Sequence, residues 1–323
     1  MNINVEYLRN SNILISGGTG FLGSNFINML EKLNSKYFLN IHIYSLSRHD
    51  RESNEFVTYI KHDVTKTLDI FNIDIDYVIH LASNTHPDAY EKDPVGTILT
   101  NIIGCDNLLK YCIKKRAKKF ILASSVEVYG NGMTSSISED NFGVININNY
   151  RSGYNESKRT CESLCHSYKK QYGVDFSIAR FARIFGYDTK KDSKVLSYMI
   201  ECAVNHKDII LNSTGNQIFS YCYIDDAVQG LLTVLINGKS GECYNISGLE
   251  ENLSLNDIGK IIEKECNVNL FHNISNQESA SKATYAVLNI SKASSIGYKP
   301  KWSIKDGIIK TIADYSILRR NKK

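Results

Sequence analysis

Asn12-Ile13-Leu14-Ile15-Ser16-Gly17-Gly18-Thr19-Gly20-Phe21-Leu22-Gly23 takes the chain from an apolar run directly into a glycine-rich turn. Residues 12–15 have the pattern of a short buried strand, and residues 24–33 carry apolar side chains at helical spacing. A strand, a glycine turn and a helix in this order are the context that a dinucleotide-binding motif requires. The sequence therefore predicts that a dinucleotide binds at this turn.

Each glycine of the turn has a predicted part in cofactor binding. Gly17 allows the tight turn, Gly20 lets the backbone approach the pyrophosphate, and Gly23 lets the helix pack on the strand. The first N–H groups of the helix suit phosphate oxygens, and Phe21 and Leu22 in this first turn complete the predicted contacts. The spacing is G-x-x-G-x-x-G, whereas the usual motif is G-x-G-x-x-G.

A second motif, Tyr154-Asn155-Glu156-Ser157-Lys158, pairs a phenol with an ammonium group. Positions four apart lie on one face of a helix, so Lys158 is expected beside Tyr154. A free tyrosine has a pKa of about 10, but a nearby cation and an oxidised nicotinamide both favour the phenolate. Such a group takes a proton from an alcohol while hydride leaves the same carbon. The alternative is an exposed helical pair, and the glycine turn favours the catalytic interpretation.

Composition is that of an ordinary globular enzyme. The 323 residues carry a net charge of +4 with Lys and Arg spread along the chain, so no nucleic-acid partner is predicted, and the basic run 114–119 is interpreted as a solvated helix end. Neither a secretory signal nor an apolar run of about 18 residues is visible, which favours a cytoplasmic protein without a membrane partner. The eight cysteines lack C-x-x-C spacing, so buried reduced thiols are predicted rather than a metal site.

Strand and helix patterns alternate along the first part of the chain. Strands are predicted at 41–46, 77–81, 120–124 and 176–181, and helices at 97–116 and 156–172. This alternation is typical of a Rossmann-type, doubly wound parallel sheet of the α/β class, predicted for residues 1–185. Residues 186–323 are expected to form a smaller C-terminal α/β substrate lobe, interleaved with the main sheet. Its predicted elements are helices at 193–206, 225–237, 254–266 and 303–319 and strands at 208–211 and 219–224.

The order of motifs resembles the extended short-chain dehydrogenase/reductases of the nucleotide-sugar epimerase/dehydratase family, and the layout is most similar to the UDP-glucuronate decarboxylases. The resemblance covers nearly the whole chain. Besides the glycine turn, the matching runs are His80-Leu81-Ala82-Ser83, Thr100-Asn101, Ser124-Ser125-Val126-Glu127-Val128-Tyr129-Gly130, Ser138-Glu139-Asp140, Arg151, Tyr154-x-x-x-Lys158-Arg159 and Tyr223-Ile224-Asp225-Asp226.

The resemblance implies a set of cofactor contacts. Asp63, with Val64 beside it, contacts the adenine, and Leu81, Ala82 and Ser83 line the nicotinamide. The family also implies that Lys158 holds the nicotinamide ribose. A homodimer through the helices near 97–116 and 156–172 is implied in the same way.

The choice between NAD and NADP depends on the end of the second strand. NAD enzymes usually place an acid there for the ribose 2′-hydroxyl, but this strand ends Tyr44-Ser45-Leu46-Ser47-Arg48. Arg48 suits a 2′-phosphate, whereas Ser45 can bond either ribose and the resembling family uses NAD. The prediction is NAD, with NADP as the alternative.

Several of these residues also have structural interpretations. Asp63 could cap a helix, His80 is interpreted as a hydrogen-bonded core residue, and Asp225 and Asp226 are predicted to cap the helix that follows them. Ser125 could be a simple turn residue. The resemblance instead implies that Ser125 hydrogen-bonds the sugar hydroxyl that Tyr154 deprotonates, and this interpretation is preferred.

The departures from the family narrow the expected reaction. The dehydratases carry Thr-Asp-Glu where this chain has Ser125-Val126-Glu127, and valine cannot deliver the proton that elimination needs. The decarboxylases usually have a second hydroxyl at that position. Glu127 remains as a group that binds or deprotonates substrate, although a structural part is an alternative. Oxidation at C4 needs neither missing group.

Substrate anchoring departs from the family as well. An arginine that usually grips the nucleotide diphosphate is replaced by Phe219, and Arg183 stands where the family has asparagine. We expect Arg183 to approach the phosphates from a new direction, because a charged pair is stronger than a neutral hydrogen bond. The substrate is expected to be a UDP- or GDP-linked sugar.

Together these observations predict NAD-dependent oxidation at C4 of a nucleotide-activated hexose or heptose for surface-polysaccharide synthesis. The 4-keto sugar is released, or it is reduced again on the opposite face in a 4-epimerase. UDP-glucuronate decarboxylation and 4,6-dehydration are the alternative reactions. A protein that senses NAD(P) and has lost catalysis is the alternative outside enzymes.

Overall fold

The computed structural model describes residues 3–69, 73–85, 91–131, 135–188, 194–274 and 285–320. The strands are β1 Asn12–Ser16, β2 His42–Ser47, β3 Val57–Lys61, β4 Tyr77–His80, β5 Lys119–Ser125, β6 Phe176–Phe181, β7 Arg183–Phe185, β8 Ile209–Leu211, β9 Ile218–Phe219, β10 Tyr221–Tyr223, β11 Glu242–Ile246, β12 Leu270–His272 and β13 Tyr285–Ala286. The α-helices are α1 Phe21–Tyr37, α2 Pro94–Lys115, α3 Ser152–Tyr172, α4 Val195–Val204, α5 Ile224–Asn237, α6 Leu255–Cys266, α7 Ser291–Ser295 and α8 Ile304–Arg320. Short 3₁₀ helices lie at Val5–Leu8 and Val126–Tyr129.

Seven strands form one parallel sheet in the order β11-β6-β5-β4-β1-β2-β3. The sequence order reverses between β1 and β4, and in open α/β sheets ligands bind at the carboxyl ends of the strands at this point. Side chains of β1 alternate between the two faces: Ile13 and Ile15 pack in one core with Phe26 of α1, and Leu14 packs in the other with Leu108 of α2. The predicted Rossmann-type α/β fold is confirmed.

The predicted elements of the sheet and the lobe are found within a few residues of their expected bounds. Two strands of the main sheet, β3 and β11, were not predicted. Strand β11 follows α5 in sequence but pairs with β6, which places Glu242–Ile246 in the main sheet. Three parallel two-stranded pairs, β7 with β10, β8 with β12 and β9 with β13, lie outside it. The division of the chain at residue 185 stays a prediction.

The predicted capping by Asp225 and Asp226 is wrong. Helix α5 begins at Ile224, one residue earlier than expected, so both aspartates lie inside its first turn and no side chain caps it. Asp226 is buried and accepts hydrogen bonds from the backbone N–H groups of Lys301 and Trp302, at 3.0 Å each. It therefore holds the segment before α8 against α5.

A buried ion pair joins the carboxyl ends of β5 and β6 to α3. Arg180 of β6 donates to Glu162 of α3 at 2.6 Å, and the hydroxyl of Ser124 donates to the same carboxylate at 2.5 Å. Arg180 also donates to the hydroxyl of Tyr129 at 2.8 Å. Because breaking a buried pair leaves an uncompensated charge, this network fixes α3 relative to the strand that ends at Ser125.

All eight cysteines are free, in agreement with the predicted reduced thiols; six are buried as expected, whereas Cys243 and Cys266 are half-buried. Within the described residues, His, Cys, Asp and Glu side chains nowhere gather in a group of three or more that could hold a metal ion. Over the same part of the chain, no helix has the length and apolar character needed to cross a membrane.

Candidate active site

The glycine turn after β1 forms a cradle that only glycine fits. Gly17 has a φ of +75°, and a Cβ added there would lie 2.6 Å from the backbone nitrogen of Ala82. A Cβ on Gly23 would lie 2.2 Å from the carbonyl oxygen of Gly17, so Gly23 lets α1 pack against the turn itself rather than against the strand. Gly20 is the N-cap of α1, and no side chain caps the helix there. This end of α1 therefore suits a phosphate group.

The segment after β4 forms the other wall of the cradle. The backbone N–H of Leu81 donates to the carbonyl of Ser16 at 3.0 Å, which draws Leu81 and Ala82 alongside the turn. Ser45, buried at the end of β2, lies under Gly18, where an added Cβ would be 2.3 Å from its hydroxyl oxygen. These close backbone approaches fit a dinucleotide, for which the residues of the turn and of 81–83 would form the binding surface.

Arg48 and Asp63, which are predicted to lie at the adenosine end of the cofactor, are near one another. Asp63 accepts hydrogen bonds from the backbone N–H and the hydroxyl of Thr65, both at 2.9 Å, so it forms a turn rather than a helix cap. These bonds, with a smaller effect of the Arg48 charge, lower the pKa of Asp63. Val64 packs its side chain in the core against Gly104, and its carbonyl accepts a hydrogen bond from the side-chain amide of Asn107 at 2.9 Å. Contact of Asp63 and Val64 with a cofactor stays a prediction.

We predict that Arg48 contributes to NADP binding but not to NAD binding, since only NADP carries a 2′-phosphate for a cation. An Arg48→Ala variant should bind NADP several-fold more weakly, by the roughly 0.2–1 kcal/mol typical of exposed ion pairs, with NAD affinity unchanged. Calorimetric titration of both cofactors measures this. Arg51→Ala, another exposed arginine close in sequence, is the control. A loss of NAD affinity in the Arg48 variant would contradict the prediction.

Ser125, Tyr154 and Lys158 meet at the carboxyl end of β5. Ser125 is the last residue of β5, and Tyr154 and Lys158 lie in the first part of α3. The phenol of Tyr154 is buried and hydrogen-bonded to Ser125 and to Ser83. The Nζ of Lys158 donates to the carbonyl of Ala123 at 2.9 Å and lies 5.9 Å from the centre of the Tyr154 ring. The structure thus brings the predicted catalytic residues together beside the cofactor segment 81–83.

The protein groups alone raise the pKa of Tyr154, whereas the sequence prediction relied on Lys158 and an oxidised nicotinamide to favour the phenolate. Burial raises the pKa of the phenol, and the hydrogen bonds to Ser125 and Ser83 only partly oppose that rise. Burial also lowers the pKa of Lys158, whose ammonium points to a β5 carbonyl. The protein alone therefore favours the neutral phenol, and a further positive charge beside the ring is needed to produce the base.

Glu127 is held at the edge of the same site. The side-chain amide of Asn155 donates to its backbone carbonyl at 2.9 Å and to its carboxylate at 3.2 Å. Its other carboxylate oxygen lies 3.6 Å from Nη2 of Arg183. Asn155 was not predicted, although its place between Tyr154 and Lys158 on α3 is the signal that could have indicated it. Val126 is buried in the core, so this position presents no proton donor.

Arg183 and Phe219, the two substrate-anchoring positions at which the chain departs from the family, contact each other. The guanidinium of Arg183, in β7, lies over the ring of Phe219, in β9, at 3.7 Å from the ring centre. A positive charge therefore lies next to the ring at 219 and close to Glu127. Contact of Arg183 with substrate stays a prediction.

His80 is a core residue, as predicted. It is buried at the end of β4, and its Nδ1 shares a 2.7 Å hydrogen bond with the hydroxyl of Ser16. Burial, with a smaller effect of the Lys158 charge, lowers its pKa to about 3, so the ring is neutral at physiological pH.

Comparison with known proteins gives matches along most of the chain. The model of the NAD dependent epimerase/dehydratase family matches residues 13–247. UDP-glucuronic acid decarboxylase 6 of Arabidopsis thaliana is 29% identical over 308 residues, which cover 93% of this chain and 87% of that protein. The dTDP-D-glucose 4,6-dehydratase of Dictyostelium discoideum is 33% identical over 270 residues, or 77% of this chain and 61% of that protein.

Solved structures show the same architecture. The UDP-glucuronic acid 4-epimerase from Bacillus cereus, in complex with UDP-glucuronic acid and NAD, superposes with a TM-score of 0.80 at 26% identity and covers 95% of this chain and 99% of its own. The UDP-glucose 4-epimerase of Thermotoga maritima has a TM-score of 0.82 at 22% identity, with 97% and 100% covered, and shows the fold alone.

Proposed function

The chain belongs to the NAD-dependent epimerase/dehydratase family, and from that membership we propose that it oxidises C4 of a nucleotide-activated hexose or heptose to the 4-keto sugar. The observation that carries the proposal is the buried Tyr154 phenol, hydrogen-bonded to Ser125 beside segment 81–83. A phenol that lies between the Ser125 hydroxyl and segment 81–83 is placed to take a proton from an alcohol.

In the proposed reaction, the C4 hydroxyl of the sugar lies between Ser125 and Tyr154. Bound NAD supplies the hydride acceptor and, when oxidised, a positive charge near the phenol. The phenolate of Tyr154 takes the hydroxyl proton, the C4–H bonding electrons leave with the hydrogen as hydride, and a C4 carbonyl forms. The ammonium of Lys158, held on Ala123, favours the phenolate over the neutral phenol.

Two candidate outcomes follow from the same 4-keto sugar. Because Val126 is apolar and buried, 4,6-dehydration lacks the acid that the dehydratases place there. The keto sugar then either leaves, as in a 4-dehydrogenase, or takes hydride back on its opposite face, as in a 4-epimerase. The likeness to the Bacillus cereus UDP-glucuronic acid 4-epimerase favours epimerisation as the second candidate. The similarity of this chain to the Arabidopsis decarboxylase keeps loss of CO₂ as the alternative reaction.

The substrate and setting belong to the same proposal. UDP is the favoured nucleotide, since the similar Bacillus cereus epimerase and Arabidopsis decarboxylase are named for UDP-glucuronic acid, and GDP is the alternative. The protein is proposed to act in the cytoplasm as a homodimer in surface-polysaccharide synthesis, with NADP as the alternative cofactor.

A panel of UDP-, GDP-, CDP- and dTDP-sugars, incubated with the purified protein with and without NAD, tests the reaction. Mass spectrometry should show the loss of two hydrogens for oxidation, or unchanged mass with altered NMR couplings for epimerisation. A product that has lost water would overturn the interpretation of Val126. A product that has lost CO₂ would establish the decarboxylase alternative instead.

We predict that Ser125→Ala lowers turnover at neutral pH by on the order of tenfold, which corresponds to the roughly 1.5 kcal/mol typical of one hydrogen bond to a charged group. The Ser125 hydrogen bond lowers the pKa of Tyr154, so its loss raises that pKa and leaves less phenolate at a given pH. The deficit should therefore shrink as pH rises. Ser125→Thr, which keeps the hydroxyl, is the control. A tenfold deficit that is independent of pH would contradict this cause.

A further inference from the structure

Arg183 and Tyr221 form an unusual pair near the candidate active site. They are register partners on the parallel strands β7 and β10, so their side chains project to the same face. Tyr221 is 3% exposed, and the side chain of Arg183 is 22% exposed. Burial raises the pKa of the Tyr221 phenol to about 12, and the nearby charge of Arg183 opposes that rise.

Both side chains hold a buried polar atom that is not hydrogen-bonded. Within the described residues, Nη1 of Arg183 and the hydroxyl of Tyr221 are fully buried without a hydrogen-bond partner. A buried polar group left in this state costs about 1–3 kcal/mol, and more when it is charged. Two such donors on neighbouring strands point to an acceptor that the protein itself does not supply.

The surroundings of the pair define the charge of that acceptor. The flat face of the Arg183 guanidinium is covered by the ring of Phe219, and Nη2 faces Glu127 at 3.6 Å, beyond hydrogen-bond distance. Nη1 is thus a buried donor, without a hydrogen bond among the described residues, on a cation that packs against an aromatic ring. A neutral acceptor would satisfy one hydrogen bond, whereas an anion would also compensate the charge.

We propose that Nη1 of Arg183 and the hydroxyl of Tyr221 together bind one oxyanion of the substrate, with Phe219 as the floor of the subsite. The proposal rests on the proposed function in taking a nucleotide sugar as the ligand. A nucleotide sugar can offer two kinds of oxyanion, namely its diphosphate and a carboxylate on the sugar. The subsite is a specificity determinant that adjoins Glu127 and so lies next to the sugar-oxidising residues.

Binding to the NAD-loaded protein tests the subsite. Calorimetric titrations with UDP, UDP-glucose, UDP-glucuronate, GDP and GDP-mannose are compared for the wild type, Tyr221→Phe and Arg183→Gln. Loss of a hydrogen bond to a charged group should weaken binding by on the order of tenfold or more in Tyr221→Phe, and further in Arg183→Gln. The double variant should lose less than the product of the two single losses, because both residues hold one group.

A stability measurement separates binding from a structural part. Since the Tyr221 hydroxyl has no partner within the described residues, Tyr221→Phe should keep the melting temperature of the wild type or raise it. Tyr111→Phe is the matched control, because it removes another buried, unpartnered hydroxyl from α2, in the core on the opposite face of the sheet. It should likewise keep or raise the melting temperature, and it should leave the binding of every ligand unchanged.

The ligand series identifies the oxyanion. Weaker binding of UDP or GDP themselves assigns the subsite to the diphosphate, and a loss confined to UDP-glucuronate assigns it to a sugar carboxylate. Unchanged affinities in both single variants, or no binding of any of these ligands by the wild type, would overturn the subsite. A wild-type protein that binds a nucleotide sugar tightly but forms no keto sugar or epimer would instead overturn C4 oxidation and leave the subsite intact.

Discussion

A Tyr154→Phe protein is expected to lose turnover by on the order of 10²–10⁴-fold, the usual contribution of a positioned general base. The variant keeps the ring that fills the buried site between α3 and the end of β5, and it removes only the oxygen that takes the C4 proton. Cofactor binding should be retained, because the cradle around Gly17 and Ala82 does not depend on the phenol oxygen. Reduction of NAD in a single turnover, followed by absorbance, measures the loss.

Tyr172→Phe is the control for this experiment, since Tyr172 is a solvent-exposed tyrosine at the end of the same helix. It should turn over substrate at the wild-type rate. The same comparison separates an enzyme from the scaffold alternative. If Tyr154→Phe supports full biological activity in cells, catalysis is not the function of the chain, whereas lost activity with retained NAD binding supports the enzyme.

Local patterns in the sequence were sufficient for most of the fold. The run from Asn12 to Gly23 combines a strand, a left-handed glycine and a helix start within a few residues, so no distant contact is needed to predict it. Strand β11 is different. Its residues Glu242–Ile246 include a charged and an amide side chain, and they form a strand because they pair with β6, far away in sequence. Such pairing is not visible in a single segment.

The catalytic residues were predictable from local spacing, but the effect of their surroundings on the pKa values of Tyr154 and Lys158 was not. Helical spacing places Tyr154 and Lys158 on one face of α3. It does not show that the Ala123 carbonyl takes the Lys158 ammonium, or that burial raises the pKa of the phenol. Those effects arise from elements that pack around α3. The free base therefore depends more on the charge that a bound cofactor would bring than on Lys158, a balance that the spacing alone did not indicate.

The residues proposed to anchor the substrate show most clearly what could not be predicted from the sequence. The sequence identified Arg183 and Phe219 as separate departures from the family, yet it could not show that the guanidinium lies on the ring. Nothing in the sequence indicated a role for Tyr221, and its proposed part in binding rests on its register with Arg183 on β10 and β7 and on its buried hydroxyl.

Substitution of Gly17 by alanine should abolish NAD binding and destabilise the fold. The left-handed backbone alone costs an L-residue about 1–2 kcal/mol. The added Cβ would also lie 2.6–2.8 Å from backbone atoms of Leu81 and Ala82, and such overpacking costs typically about 1–3 kcal/mol more. Relief of the overlap moves the turn away from segment 81–83, and these are the two walls between which the dinucleotide is proposed to bind.

Gly173→Ala separates the cost of the left-handed backbone from the cost of the overlap with segment 81–83. Gly173 has a φ of +73°, nearly that of Gly17, but an added Cβ there meets nothing within 4 Å. That variant should lose only the backbone contribution of about 1–2 kcal/mol and bind NAD as the wild type does. Chemical denaturation gives the two free energies of unfolding, and calorimetry gives the two NAD affinities. Equal stabilities, or full NAD affinity in Gly17→Ala, would mean that the contact between the turn and segment 81–83 does not form the cofactor site.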